Sequence, residues 1–180
     1  SSATPEERVW PASVTKLFTA YVAMQYLEPG DMVTVGEEAG WIGEGSSIAA
    51  VSEGCRLSAG MILQGMLMQS GNDAAYAIAV AAGRAIEDNP TLAAKPAYDI
   101  FIAEVNRQLE MLGFENTHFT TPHGLHDEDH YTTAYDIYLM AKAAMEYELF
   151  RTIVGTAVYT LPATNLSAER TFYNTNGLLS

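Results

Sequence analysis

Residues 14 to 27, VTKLFTAYVAMQYL, are apolar almost all round. A helix of that composition has no face to give to water, so other elements must cover it on several sides. The chain must therefore fold around this segment. Its one charge, Lys16, falls near the start, where burial penalises an ammonium group. The chain has just three lysines, Lys16, Lys95 and Lys142. Placing one of them in an apolar run asks for a chemical explanation.

The 180 residues are enough for one good core or two small subdomains. No stretch of eighteen or more residues is free of polar groups, so no transmembrane helix is expected. The opening Ser1-Ser2-Ala3-Thr4-Pro5 lacks the basic and hydrophobic pattern of a signal segment. Nine basic residues against 22 acidic ones give a net charge of −13. That argues against nucleic acid as a partner, because phosphate binding needs clustered Lys and Arg. It argues equally against an anionic membrane surface. Cys55 is the single cysteine, so no disulfide can close within the chain.

Pro29-Gly30 should end the first helix. Residues 31 to 56 are rich in glycine and read as irregular, with short extended pieces at MVTV and SSIAAV. Ser58 is a plausible N-cap for a helix through AGMILQGMLMQ. That helix stops at Ser70-Gly71-Asn72, and another follows in DAAYAIAVAAGRAI. Asn89-Pro90 breaks the chain again. Over residues 96 to 112 a helical stripe runs through Ala97, Ile100, Phe101, Val105, Leu109 and Leu112, closed by Gly113. FENTHFTTPHGLHDEDHY is a loop, and Thr133-x-x-Asp136 marks the start of a helix to about Glu146. TAVYTLPAT and RTFYNTN read as strands.

Ser13 and Lys16 are three residues apart, which puts both side chains on one helical face. A serine hydroxyl is a poor nucleophile until a base takes its proton. Lysine can be that base where burial or a second cation lowers its pKa. Ser70-Gly71-Asn72 offers a hydroxyl and an amide at a helix junction, where they could relay a proton and bind a substrate amide. Each pattern also has an ordinary reading. The first is a chance spacing, and the second is a common helix–helix turn.

Together they say more. Pro11-Ala12-Ser13-x-Thr15-Lys16, Ser70-Gly71-Asn72-Asp73-Ala74-Ala75, PHGLHDEDHYTTAYD and YNTNGLL occur in this order. The chain resembles the D-alanyl-D-alanine carboxypeptidases, low-molecular-weight penicillin-binding proteins of the active-site serine kind, over roughly residues 9 to 179. The resemblance implies an α+β, β-lactamase/D,D-peptidase-like fold, with Ser13 as acylated nucleophile, Lys16 as its base and Ser70 as proton relay. Asn72 would hold substrate and Lys16, and the Ser13 N–H would form half of an oxyanion hole. It further implies peptidoglycan stem peptides ending in D-Ala-D-Ala as substrates, acylation by β-lactams such as penicillin, work outside the cytoplasmic membrane, and no metal or other cofactor.

One departure matters. The family's third motif is Lys-Thr-Gly on a strand beyond NTNGLL, and none of Lys16, Lys95 and Lys142 precedes Thr-Gly. Residues 1–180 therefore read as one incomplete D,D-peptidase domain, mainly the helical part with a few strands. On this reading the 180-residue piece is inactive, and its strand edges favour self-association. A class A β-lactamase shares Ser-x-x-Lys but has Ser-Asp-Asn where Gly71 stands here, and ranks well below. The other alternative is a non-catalytic penicillin-binding-like module that binds wall peptides or a protein partner. His118, His123, His126 and His130, beside Asp127, Glu128 and Asp129, have the chemistry of metal ligands. A solvated loop is the better reading of them, and no metal is expected. Met61, Met66 and Met68 read as core.

Overall fold

The computed structural model describes residues 8–9, 15–124, 128–156 and 158–173. The apolar run forms α1 (Thr15–Ala23), with Phe18, Ala20, Val22 and Ala23 fully buried. The regular helix is shorter than the run: residues after Ala23 continue as turns, such as Leu27 N–H to the Ala23 carbonyl at 3.0 Å. Around α1 pack α2 (Ala59–Gln69), α3 (Asn72–Ile86), α4 (Ala94–Met111) and α5 (Ala134–Ala144), which is the covering on several sides that its composition demands. A short α6 (Glu148–Val154), not foreseen from the sequence, follows α5.

Local signals set several boundaries. The Ser58 hydroxyl accepts the Met61 N–H at 3.3 Å, so it caps α2 as the sequence implies. Thr133 likewise accepts from Asp136 N–H at 3.1 Å and caps α5. The reciprocal half of that capping box is not used, because the Asp136 carboxylate accepts from the Thr117 hydroxyl at 2.6 Å instead.

Among the described residues the strands form three separate antiparallel pairs. β1 (Arg8–Val9) pairs with β4 (Thr132–Thr133), in register Arg8 to Thr133. β2 (Met32–Thr34) pairs with β3 (Arg56–Ser58), a strand the sequence reading missed. β5 (Val158–Leu161) pairs with β6 (Arg170–Tyr173), the two strands expected from their β-branched and aromatic residues. The extended piece expected at SSIAAV is irregular. Its Ala49 and Val51 N–H groups donate to the two carboxylate oxygens of Asp73, both at 2.8 Å, rather than to a neighbouring strand. Ala50 between them has φ 56°, which breaks any strand period.

α3 is rich in alanine and lies close against α4. A Cβ on Gly83 would overlap the Ala97 carbonyl. In an ordinary helix interior Gly→Ala gains about 1 kcal/mol. Here the sign should reverse: Gly83→Ala is expected to lower stability by roughly 1–3 kcal/mol through overpacking. Chemical denaturation checks this, and an unchanged or raised midpoint would contradict the close crossing.

Candidate active site

Three segments converge at the start of α1: its first turn, the α2–α3 junction and the loop residues 117–124 and 128–131. Lys16 reaches from α1 and is only 4% exposed. Its Nζ donates to the Ser70 hydroxyl at 3.4 Å and to the His123 carbonyl at 3.2 Å. Burial lowers its pKa from the ordinary 10.5 to about 8, while the Asp73 carboxylate pulls the other way. At pH 7 that raises the free-amine fraction from about 1 in 3,000 to about 1 in 10. Among the described residues, burial alone produces this change, with no second cation contributing.

Ser70 ends α2 in the left-handed region, at φ 54° and ψ 36°. For a residue with a Cβ this costs roughly 1–2 kcal/mol. The bend brings the chain straight from α2 into α3. Gly71 follows because the 46–51 loop lies directly on it: a Cβ there would stand 2.7 Å from the Ala49 Cβ and 2.8 Å from the Ala49 nitrogen. Asn72 opens α3 with its N–H donated to the Ser47 carbonyl at 2.8 Å. Its side chain is 3% exposed, and Oδ1 is buried with no hydrogen-bond partner among the described residues. A buried amide oxygen in that state is costly, so it is ready to accept from an incoming donor.

The loop that closes the site is tightly held. Thr19 donates to the Pro122 carbonyl at 2.8 Å, and Asn106 exchanges two bonds with Phe119, at 2.6 and 2.9 Å. His130 Nδ1 accepts the Thr120 N–H at 3.0 Å, which leaves Nε2 to donate to the Thr15 hydroxyl at 2.8 Å. His123 Nε2 pairs with the Tyr76 hydroxyl at 2.9 Å. Burial first, then Lys16 and His130, push the His123 pKa down to about 4, so its ring is neutral near pH 7. His118 Nδ1 donates to the Asp129 carbonyl at 2.6 Å.

The structure thus brings Lys16 and Ser70 together, with Asn72 two residues further on. Ser13 lies outside the described residues, as do His126, Asp127 and the NTNGLL segment. The three described histidines serve the loop, each through different partners. No group of metal-ligating side chains is present among the described residues. His123 is the member sequence reasoning missed. Its backbone carbonyl does the work, and no residue pattern advertises a carbonyl.

The family described as D-alanyl-D-alanine carboxypeptidase, peptidase S11, matches residues 1–180. The chain belongs to this family. It is 34% identical over 155 residues to the D-alanyl-D-alanine carboxypeptidase DacF of Bacillus subtilis (strain 168), covering 83% of this chain and 36% of that protein. To DacA of Escherichia coli (strain K12) it is 33% identical over 156 residues, covering 78% and 36%. The solved Streptomyces K15 DD-transpeptidase superimposes with a TM-score of 0.85 at 29% identity, over 100% of this chain and 70% of that one. A D-alanyl-D-alanine carboxypeptidase from Mycobacterium tuberculosis H37Rv gives 0.81 at 26% identity, over 99% and 62%. The fold is therefore the expected α+β D,D-peptidase fold. The chain spans about a third of the length of the two carboxypeptidases from Bacillus subtilis and Escherichia coli.

Two outcomes are expected from this geometry. A lysine with a lowered folded pKa takes up a proton on unfolding between about pH 8 and 10.5. The contribution of neutral Lys16 is fully present above 10.5 and is lost as pH falls through about 8. Relative to Lys16→Met, the wild-type chain should gain up to roughly 3 kcal/mol as pH rises across that window. Parallel stability curves for the two proteins would mean a solvated lysine. Elemental analysis of untagged protein should also find no stoichiometric metal, and one zinc per chain would contradict the loop assignment.

Proposed function

We propose that this chain carries the acylating machinery of a serine-type D-alanyl-D-alanine carboxypeptidase. The observation that carries the reading is the buried Lys16 amine, with its lowered pKa, beside the Ser70 hydroxyl. Ser13 stands three residues before Lys16 in sequence. In the proposed reaction the Ser13 hydroxyl attacks the carbonyl of the penultimate D-alanine. Its proton goes to the Lys16 amine, and the new C–O bond gives a tetrahedral oxyanion facing the Ser13 N–H. The proton then passes through Ser70 to the departing nitrogen. Terminal D-alanine leaves, and an acyl-enzyme on Ser13 remains. Water deacylates it by the reverse proton path. The orphaned Asn72 Oδ1 would accept from the substrate amide, which relieves its buried, unpaired state.

The substrates on this reading are peptidoglycan stem peptides ending in D-Ala-D-Ala, and β-lactams acylate the same serine. The site belongs outside the cytoplasmic membrane, where such peptides are found. Among the described residues no helix is long and apolar enough to cross a membrane. The 180-residue stretch by itself is proposed not to hydrolyse D-Ala-D-Ala peptides and to react with penicillin slowly or not at all. The sequence holds no Lys-Thr-Gly, and an oxyanion donor of the kind its strand would add is worth roughly 10²–10³ in rate. Its strand edges at β5 and β6 are proposed to favour self-association.

Labelling with a fluorescent penicillin tests this. The full-length protein that contains the chain should label stoichiometrically, and Ser13→Ala should abolish the label. The isolated 180 residues should label far more slowly. A full-length protein that takes no label would favour a non-catalytic wall-peptide binder, and rapid labelling of the isolated stretch would overturn the incomplete-domain reading.

A further inference from the structure

Tyr76 lies one turn beyond Asn72 on α3. Its ring is held edge-on by Trp41 at 5.6 Å and lies 5.8 Å from Tyr98, and it meets the His123 ring at 4.9 Å. Those contacts account for the ring. They do not account for the hydroxyl, which pairs with His123 Nε2 at 2.9 Å. Burial raises the Tyr76 pKa and lowers that of His123, so both partners are neutral near pH 7 and a conventional hydrogen bond joins them. The carbonyl of the same His123 accepts from Lys16. Side chain and carbonyl of one residue therefore link the aromatic cluster to the lysine.

We propose that Tyr76 is a positioning residue: its hydroxyl fixes the His123 side chain, and so holds the His123 carbonyl where the Lys16 ammonium donates to it. This rests on the reading of Lys16 as the base. A carbonyl fixed against an ammonium favours the charged form, opposing the desolvation that favours the amine. Tyr76 thereby sets how far the lysine is shifted, and keeps Nζ pointed at Ser70. The other groups near Lys16 do not substitute for it. Asp73 on α3 acts through charge, with its oxygens engaged by Ala49 and Val51 N–H groups. His130 is engaged by Thr15 and Thr120, and α2 brings the Ser70 hydroxyl. Glu104 on α4 is bonded to Tyr26, beyond the other end of α1, and Asp136 on α5 to Thr117.

The three lysines make the test direct. In protein labelled at lysine with ¹³C and ¹⁵N, Lys16 is one of three side-chain signals, with exposed Lys95 and Lys142 as internal references. Wild-type Lys16 should titrate near pH 8. Tyr76→Phe keeps the ring and removes the hydroxyl, and should move that midpoint down by about half a pH unit or more. His123→Phe, which removes Nε2 and keeps the backbone carbonyl, should move it the same way if Tyr76→Phe fails to fold. Leu109→Ala, a buried apolar change on α4, should lower stability and leave the midpoint in place. A low wild-type midpoint unmoved by Tyr76→Phe, or moved equally by Leu109→Ala, overturns the positioning role alone. A wild-type midpoint at the ordinary lysine value overturns the base assignment, and the role of Tyr76 with it.

Discussion

The removal of one ammonium group from water organises this molecule. Lys16 is buried at the start of a helix that is itself enclosed. A lone charge in that place would be costly, and the site offsets the cost with polar oxygens rather than a salt bridge. A carboxylate in direct contact would fix the proton on the amine and make it useless as a base. Asp73 is near enough to act through its field, but its oxygens are occupied elsewhere. The lysine is thus held in an intermediate state, neither fully charged nor free of its proton.

Asp73 links the chemistry to the fold. Its two oxygens take the Ala49 and Val51 amides and so pin the 46–51 loop onto Gly71. From the other side Arg170 on β6 donates to the carbonyls of Ala49 and Ala50, at 3.0 and 2.6 Å. A strained segment, with Ala50 at positive φ, is thereby gripped by an anion through its N–H groups and by a cation through its carbonyls. The β5–β6 pair, distant in sequence, reaches the Ser70-Gly71-Asn72 turn by this route. The left-handed Ser70 is sustained by the same over-determination, since the loop leaves Gly71 no room to move.

The opposite wall depends on a loop that behaves like an element. Residues 117–124 and 128–131 have little regular structure, yet His118 and Tyr131 close a β-bridge at its base. The side chains of α1 and α4 take up its carbonyls: Thr19 that of Pro122, Tyr98 that of Thr120 and Asn106 that of Phe119. The three described histidines of the group that resembled a metal cluster, His118, His123 and His130, each face a different partner. Their closeness in sequence reflects a short loop with many anchoring points.

The sequence by itself determined most of the helices, and it picked out Lys16 and Ser70, which the structure brings together. The run around Phe18, the caps at Ser58 and Thr133, and the Ser-x-x-Lys and Ser-Gly-Asn patterns are local. Helix periodicity and capping are satisfied within a few residues, so they can be read in a line. The tertiary structure decided what depends on distant partners. SSIAAV lost its strand because Asp73, more than twenty residues later, took its amides. Arg56–Ser58 became a strand because Met32–Thr34 lay beside it. The lowered pKa of Lys16 came from enclosure by three segments, and its partner in the loop is a backbone carbonyl, which every residue has. Side-chain chemistry is encoded residue by residue, whereas desolvation and backbone hydrogen bonding exist only once the chain has closed around them.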